Sequence, residues 1–299
     1  MAKWVRLVTL MIFIVAMPLT GNAQVVRGWV VNALTDLPVP NVLVSDTQRH
    51  LAVRTDTAGR FLYPALVDTL LFSAPGFLPF RLGLTGTDSL VVRLAESPLI
   101  IQNITFDARR PPVPVLTGAL NKRFQGLYAS CDSTSFHELA LFIPTKEVHR
   151  AILSKIYYYV PWRGKQRASF RVRIYQHSEG RPGRDLLDES VVVNPKWWQR
   201  WKEVRVGPYN IPVPNEGFFV SMEWLNGPDS RYVDSMTMRD GSKRTNTCFG
   251  PVLGLTDEFK ECHTWTRSNG GEWERFPCNA SAPDKALNAM IRIEWLQYR

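Results

Sequence analysis

The stretch TDTAGRFLYP, residues 55–64, places an aspartate and a glycine directly before a short apolar run. It can form the rim of an active site, or a turn that folds one β-strand back onto another. Aspartate side chains accept hydrogen bonds from backbone amides in turns, and glycine adopts a positive φ at no steric cost. No second carboxylate or histidine stands close to Asp56 in the sequence to support acid catalysis. The stretch therefore predicts a turn capped by Asp56, with Gly59 at the reversal and Phe61 in a core.

The segments around this turn follow the same plan. Residues 24–98 consist of short runs separated by turn residues, and none of them has a sustained helical period. The other runs are VVRGWVV, NVLVSDT, LAVRT, TLLFSA, FLPFRLGL and SLVVRL. About seven runs with turn signals every ~8–12 residues are typical of an all-β sandwich or barrel. We therefore expect a small sandwich here.

Several of these segments resemble the carboxypeptidase-regulatory-like domain. The resemblance covers about a quarter of the chain and implies a transthyretin-like, seven-stranded β-sandwich with Greek-key connections. Domains of this family are non-catalytic and often stand at the N-terminus of larger exported bacterial proteins, so the resemblance implies no peptidase activity. A metallocarboxypeptidase would also need a His-x-x-Glu pair, which none of the five histidines forms. The matching positions are Gly28, Thr35, Pro38, Pro40, Asn41, Val42, Val44, Thr55, Asp56, Gly59, Phe61 and Pro75-Gly76-Phe77.

The N-terminus has the features of a secretory signal peptide. Lys3 and Arg6 precede an almost wholly apolar run, and small residues follow at residues 21–23. This pattern predicts a signal peptide over residues 1–23, a mature chain that starts near Gln24, and export to the periplasm, the outer-membrane surface or the extracellular space. No later segment is long and apolar enough for a transmembrane helix. Because the chain leaves the cytoplasm, nucleic acid is a poor partner.

Charge divides the mature chain unevenly. Residues 24–98 contain six basic and six acidic side chains, whereas residues 99–299 contain 28 and 21. We expect a sandwich over 24–98, a Pro-rich linker over 99–116 and a second domain over 117–299. The basic second half could meet acidic glycans, lipid phosphates or an acidic protein surface. A solvated surface rich in arginine would give the same composition.

All four cysteines lie in the second half. In an exported chain they predict two disulfides rather than a metal site, and no Cys-x-x-Cys pair is present. Cys262 and Cys278 are close in sequence and are paired here, which leaves Cys131 to Cys248. Two other connectivities stay open. The sequence predicts no metal and no cofactor.

The second half also reads as β-structure. Phe170, Val172 and Ile174 alternate with arginines, and similar alternation recurs over residues 218–224 and 289–295. Strict alternation predicts antiparallel strands with one buried and one solvated face, so Glu223 and Glu294 are expected in water. The run from residue 175 is loosely similar to jelly-roll-like sandwiches of exported bacterial proteins. We expect a second, larger β-sandwich of this kind.

Tryptophan is the feature that suggests a ligand. Eight of the ten tryptophans lie from Trp162 onward, including KWWQRW. Counting back from Val204 along a regular strand puts Trp198 in the core and Trp197 in water, where it could stack on a glycan or contact a protein.

The sequence contains none of the local motifs that identify common catalytic sites. It has no Gly-x-Ser-x-Gly elbow and no Gly-rich nucleotide loop. We therefore expect a non-catalytic exported binding or scaffold protein whose partner is an envelope protein or a glycan. The alternatives are a carbohydrate-binding module and a hydrolase with an unrecognised carboxylate pair, since two distant carboxylates leave no local motif.

Overall fold

The computed structural model describes residues 25–46, 52–64, 67–84, 89–97, 110–121, 124–131, 136–195, 199–237, 241–278 and 286–298. The predicted signal peptide, most of the predicted linker, and both Trp197 and Trp198 lie outside these residues. The described part consists of β-strands and two single-turn 3-10 helices, Gly207–Tyr209 and Pro228–Ser230, so the all-β prediction is confirmed. None of its helices has the length and apolar character needed to cross a membrane.

Seven strands form a small sandwich, called here the first sandwich. One sheet has the order β4-β1-β7 and the other β3-β2-β5-β6, and all pairs are antiparallel except β1 with β7. Apolar side chains from both sheets, among them Val30, Phe61 and Phe72, form a core of their own. The predicted seven-stranded sandwich is confirmed. Its strands are β1 Val26–Asn32, β2 Leu43–Ser45, β3 Ala52–Arg54, β4 Arg60–Tyr63, β5 Thr69–Ser73, β6 Phe80–Gly83 and β7 Ser89–Leu94.

The predicted turn joins β3 to β4. Asp56 Oδ1 accepts hydrogen bonds from the backbone N–H groups of Ala58 and Arg60 at 2.9 and 2.8 Å. Gly59 has a φ of 71°, and Phe61 is buried. The carboxylate therefore satisfies turn amides, as the sequence predicted.

The remaining strands form the second sandwich. Its largest sheet has the order β13-β12-β16-β10-β19-β20, with β14 on β12, and it faces the sheet β15-β11-β22-β8. A third sheet, β17-β18-β21 with β9 on β18, completes it. The strands are β8 Val113–Gly118, β9 Gly126–Ser130, β10 His137–Ile143, β11 Ala151–Tyr159, β12 Phe170–Ser178, β13 Arg181–Asp185, β14 Val191–Val193, β15 Trp201–Arg205, β16 Phe218–Trp224, β17 Arg231–Thr237, β18 Lys243–Phe259, β19 Thr264–Ser268, β20 Glu274–Arg275, β21 Ala286–Ala289 and β22 Ile291–Gln297.

Strand β8 begins inside the stretch that was predicted as linker. It pairs with β22 from Val113 to Gly118, so residues 113–116 belong to a sheet of the second sandwich. The proline-rich composition of this stretch suggested a linker. However, proline is tolerated in a strand at the edge of a sheet, and Pro114 lies in such a strand. Strand β8 is the edge of its sheet.

The main core of the second sandwich lies between its largest sheet, which has seven strands, and the sheet that contains β11 and β22. The alternating apolar residues of the sequence point into it, and Phe170, Val172 and Met222 are completely buried. Trp224 is also fully buried and donates its indole N–H to the carbonyl oxygen of Pro251 at 2.7 Å. The inward half of the predicted alternation is therefore confirmed.

Two disulfides occur in the second sandwich. Cys131 is bonded to Cys248, and Cys262 to Cys278. These are the two pairs that were predicted. The first closes a sequence separation of 117 residues and the second a separation of 16.

Candidate functional site

The largest sheet of the second sandwich has one face towards the main core. The first sandwich covers the opposite, outward face of this sheet. Arg171 is completely buried, and Arg173 and Glu223 are only 5% and 3% exposed. The prediction that Glu223 is solvated is therefore wrong. The reason is tertiary: side chains that alternate outward from a sheet meet water only if no second domain packs there. Glu294 is on the other sheet and is partly exposed, with Lys155 as its ion-pair partner.

Glu223 holds the two sandwiches together. Its Oε1 lies 2.5 Å from Nη2 of Arg54 in β3 of the first sandwich. Its Oε2 lies 3.3 Å from Nη1 of Arg171 and 3.9 Å from Nη1 of Arg173, both in β12. Burial alone would raise the pKa of Glu223, but the charges of Arg54, Arg171 and Arg173 outweigh it and hold that pKa well below its usual range. Glu223 is therefore ionised at neutral pH.

The arginines also bind the backbone of the first sandwich. The carbonyl oxygen of Asn41 accepts hydrogen bonds from Nη2 of Arg171 at 2.6 Å and from Nη1 of Arg54 at 3.1 Å. Burial lowers the pKa of Arg171 to about 10, although Glu223 opposes the shift. Within the described residues, the buried Nε atoms of Arg54 and Arg171 have no hydrogen-bond partner. The contact between the two sandwiches is therefore strongly polar, with charged side chains and a backbone carbonyl group buried together.

A second buried carboxylate, Glu138 of β10, occupies the same face. Its Oε1 accepts hydrogen bonds from the hydroxyls of Tyr175 and Ser221, at 2.7 and 2.5 Å. Its Oε2 accepts one from Nε of Arg267 at 2.8 Å. The guanidinium of Arg267 also lies over the ring of Trp273, 4.5 Å from its centroid. Glu138 and Glu223 are therefore both engaged by arginine or hydroxyl donors.

The loops beside this network enclose a cleft of about 1020 Å³, called here the junction cleft. It is lined by Asn41 and residues 54–56 from the first sandwich, and by residues 164–169, 225–227, 229 and 230 from the second. The opening stretch of the sequence is therefore both a turn and part of a cleft rim. Only the assembled tertiary structure brings these loops together. Among the described residues, no group of three or more metal-ligating side chains occurs.

The loop WRGKQR, residues 162–167, leads into the cleft, which it lines from Gly164 onward. Gly164 has a φ of 66° and bridges to Pro251, and the N–H of Lys165 donates to the carbonyl oxygen of Gly250 at 3.2 Å. Trp162 is 66% exposed, and the guanidinium of Arg200 lies over its ring at 4.3 Å. The loop is thus an anchored segment that presents a tryptophan and several cations.

Trp197, the predicted ligand-binding residue, lies outside the described residues, so its role stays a prediction. Of the described tryptophans from residue 162 onward, Trp162 is the exposed one. The signal was present in the sequence, since a tryptophan stands in a loop of basic residues. It was missed because strand periodicity says nothing about side chains in loops.

A second contact of the two sandwiches lies at the Pro-Gly turn. Gly76 has a φ of 77° and packs against the backbone of Asp188, so that a Cβ there would overlap the carbonyl group of Asp188. The glycine of the family-like motif therefore permits close approach of the second sandwich.

Replacing Gly76 with alanine is expected to destabilise the protein by about 2–4 kcal/mol, from the positive φ and from forced overpacking. Gly180 is the matched control, since its φ of 81° is similar but no atom would contact a Cβ there. Thermal unfolding of both variants measures the difference. Equal losses would show that only backbone strain, and no contact between sandwiches, matters at residue 76.

Comparisons with known proteins give little further information. No protein-family model matches the chain, and no curated protein matches it. A clostridial cysteine protease, Cwp84 after propeptide cleavage, is structurally similar over 62% of this chain and 40% of its own, with a TM-score of 0.38 and 11% sequence identity. The chain therefore aligns with less than half of the length of that structure. The match is too weak to assign a fold or a function to the present chain.

Proposed function

We propose that the chain is an exported, non-catalytic binding or scaffold protein of the envelope or cell surface. Its two sandwiches act as one rigid unit, and the junction cleft receives the ligand or partner. The observation that carries this proposal is the buried network in which Arg54 of the first sandwich pairs with Glu223 of the second. A site formed by loops on a rigid scaffold is preorganised for binding.

The same network argues against the hydrolase alternative. Glycoside hydrolysis needs a carboxylic acid whose pKa is raised, opposite a second carboxylate that faces the substrate. The pKa of Glu223 is shifted in the opposite direction by three arginines. Glu138 is occupied by Tyr175, Ser221 and Arg267. Glu223 is therefore no proton donor at neutral pH, and both carboxylates are buried against protein partners and lack an open side towards a substrate.

Carbohydrate binding is the second candidate, and one observation favours it. Trp162 is 66% exposed and precedes the cleft-lining residue Gly164 by two positions in the chain. Sugar rings stack on the flat faces of aromatic side chains, and tryptophan offers the largest such face.

Export is supported by the signal-like N-terminus and by two disulfides, which form in oxidising compartments. Mass spectrometry of the protein from its native host is expected to find an N-terminus near Gln24, in the periplasmic, outer-membrane or extracellular fraction. Intact Met1 in the cytoplasmic fraction would contradict export.

Binding and catalysis are tested on the same purified mature protein. Co-sedimentation with isolated cell envelopes is expected, and a panel of glycoside and peptide substrates is expected to stay unhydrolysed. Absence from the envelope pellet would overturn the binding role. If the wild-type protein hydrolyses a substrate and Glu223→Gln or Glu138→Gln abolishes that hydrolysis, the protein is a hydrolase instead. The glutamine variants keep the shape of the side chain, and circular dichroism verifies that they are folded.

A further inference from the structure

We propose that a second pocket between the two sandwiches, called here the arginine pocket, binds the carboxylate or phosphate group of a small organic anion. It encloses about 360 Å³ between residues 76–79 of the first sandwich and strands β12, β13 and β19 of the second. Arg173, Arg184 and Arg267 line it, and it shares no lining residue with the junction cleft. The proposal therefore concerns a separate site and does not depend on what the junction cleft receives.

The first support is a buried arginine with unused hydrogen-bond donors. Arg173 lines the pocket and is only 5% exposed. Its Nε donates to Oδ2 of Asp185 at 2.8 Å. Neither of its Nη atoms makes a hydrogen bond within the part of the chain that the structure describes, and Oε2 of Glu223, 3.9 Å from Nη1, is too distant for one. An oxyanion in the pocket would accept hydrogen bonds that these buried Nη groups otherwise lack.

A second arginine of the pocket is held in the same way. The side chain of Arg267 is 12% exposed, and its Nε and Nη2 bind Glu138 and the hydroxyl of Tyr175. Its Nη1 makes no hydrogen bond with any described residue. Guanidinium groups present a planar fork of donors that matches carboxylate and phosphate oxygens. Two such groups, fixed by their other contacts, thus line one pocket.

The second support is an excess of positive charge where the sandwiches meet. The charged side chains there that are at most 12% exposed are Arg54, Arg171, Arg173, Arg267, Glu138, Glu223 and Asp185. With every group counted as charged, including those in ion pairs, four cations minus three anions leave one positive charge. Arg184, which is exposed, adds another at the pocket. Uncompensated buried charge is costly, and a bound anion offsets it.

Acidic side chains also lie near the pocket, beyond the Pro-Gly turn. Glu96, Asp188 and Glu189 line an open cleft that shares Gly76 and Phe77 with the arginine pocket. All three carboxylates are exposed, so water and salt screen their charges, whereas Arg173 and Arg267 are buried and are screened much less. The potential inside the pocket is therefore set mainly by its own arginines.

The size and the other walls of the pocket indicate a ligand larger than an inorganic ion. A volume of about 360 Å³ is within the range of pockets that hold small organic ligands. Phe77, Leu78 and Leu187 contribute apolar surface, and Ser73 and Ser97 also line the pocket. The proposed ligand therefore places its oxyanion on the arginines and its body against the apolar side chains, in contact with both sandwiches.

The test measures binding of small probes to the mature protein by calorimetry at constant ionic strength. Benzoate and phenyl phosphate are the anionic probes, and benzamide is the uncharged match for benzoate. Arg184→Gln removes a lining charge, and Leu78→Glu places a carboxylate at the pocket. Arg181→Gln, in the same strand as Arg184, and Leu62→Glu, in the first sandwich, are the matched controls, because both positions are exposed and neither lines the pocket.

A third variant, Arg173→Lys, keeps the buried charge but lacks the planar pair of Nη donors. Thermal unfolding verifies that each variant is folded. If Arg173→Lys does not fold, the substitutions at Arg184 and Leu78 decide the result, since both of these side chains are exposed.

We expect at least one anionic probe to bind and benzamide to bind at least about tenfold more weakly. Leu78→Glu and folded Arg173→Lys each weaken binding by about tenfold, and Arg184→Gln by about threefold, whereas both controls stay within about twofold. Saturating anion also raises the melting temperature of the wild-type protein, because only the folded state has the pocket.

Four results would overturn the proposal. Neither anionic probe binds; benzamide binds as tightly as benzoate; a folded Arg173→Lys protein binds as tightly as wild type; or the control variants lose as much affinity as the variants at the pocket. The last result would indicate a general effect of surface charge. None of them affects the envelope co-sedimentation experiment, so this site and the proposed function are tested separately.

Discussion

Replacing Glu223 with alanine is expected to lower the free energy of unfolding by about 3–5 kcal/mol, the usual cost of removing one partner from a buried ion pair. The carboxylate is within 4 Å of Arg54, Arg171 and Arg173, and without it these buried guanidinium groups repel one another. The loss also breaks the ionic link between the two sandwiches. Urea unfolding at neutral pH measures it.

The effect should depend on pH in a defined direction. The pKa of Glu223 is lower in the folded protein than its ordinary value of 4.5, because the arginine charges overcome the effect of burial. A depressed carboxylate pKa contributes stability that is complete above the unfolded pKa and is lost as pH falls through the folded pKa. The difference in stability between wild type and Glu223→Ala should therefore be largest at neutral pH and shrink progressively below about pH 4.5.

Glu203 gives the control for this experiment. It pairs with Arg205 at 3.3 Å, but the two side chains are 37% and 81% exposed. Exposed pairs of this kind contribute about 0–1 kcal/mol, so Glu203→Ala should be nearly neutral. A small, pH-independent effect of Glu223→Ala, equal to that of Glu203→Ala, would contradict the role of the buried network.

The second large effect is expected from the long-range disulfide. Replacing both Cys131 and Cys248 with alanine frees a loop with a sequence separation of 117 residues. The chain-entropy model assigns about 4–5 kcal/mol to a loop of this size and about 3 kcal/mol to one of about 15 residues. The double alanine variant of Cys262 and Cys278 should therefore be the less destabilised of the two.

Urea unfolding of both double variants under oxidising conditions measures this order. Alanine is the suitable replacement, because Cys248 is completely buried and a serine hydroxyl there would need a partner. Peptide mapping without reduction verifies the pairing in the parent protein. Free thiols, another connectivity, or a larger loss at the short loop would contradict the prediction.

Local chemistry in the sequence determined the strands, the turn and the inward side chains. Asp56 specifies its turn through hydrogen bonds to amides two and four residues further on, and Gly59 supplies the positive φ. Phe170, Val172 and Met222 alternate along their strands, so period 2 was enough to place them in a core. Compartment and spacing favoured the observed cysteine pairs but left two other connectivities open. The all-β class and the seven strands of the first sandwich therefore needed no tertiary information.

Only the tertiary structure decided what covers the outward face of the large sheet. Arg171 and Glu223 alternate with apolar residues, a pattern that normally indicates solvent, yet both are buried. Burial here depends on a surface about 170 residues away in the chain, since Arg54 and Glu223 are separated by 169 positions. The junction cleft depends on the same docking. Periodicity describes which side of a strand a residue occupies, but docking of a second domain determines whether that side meets water, protein or a ligand.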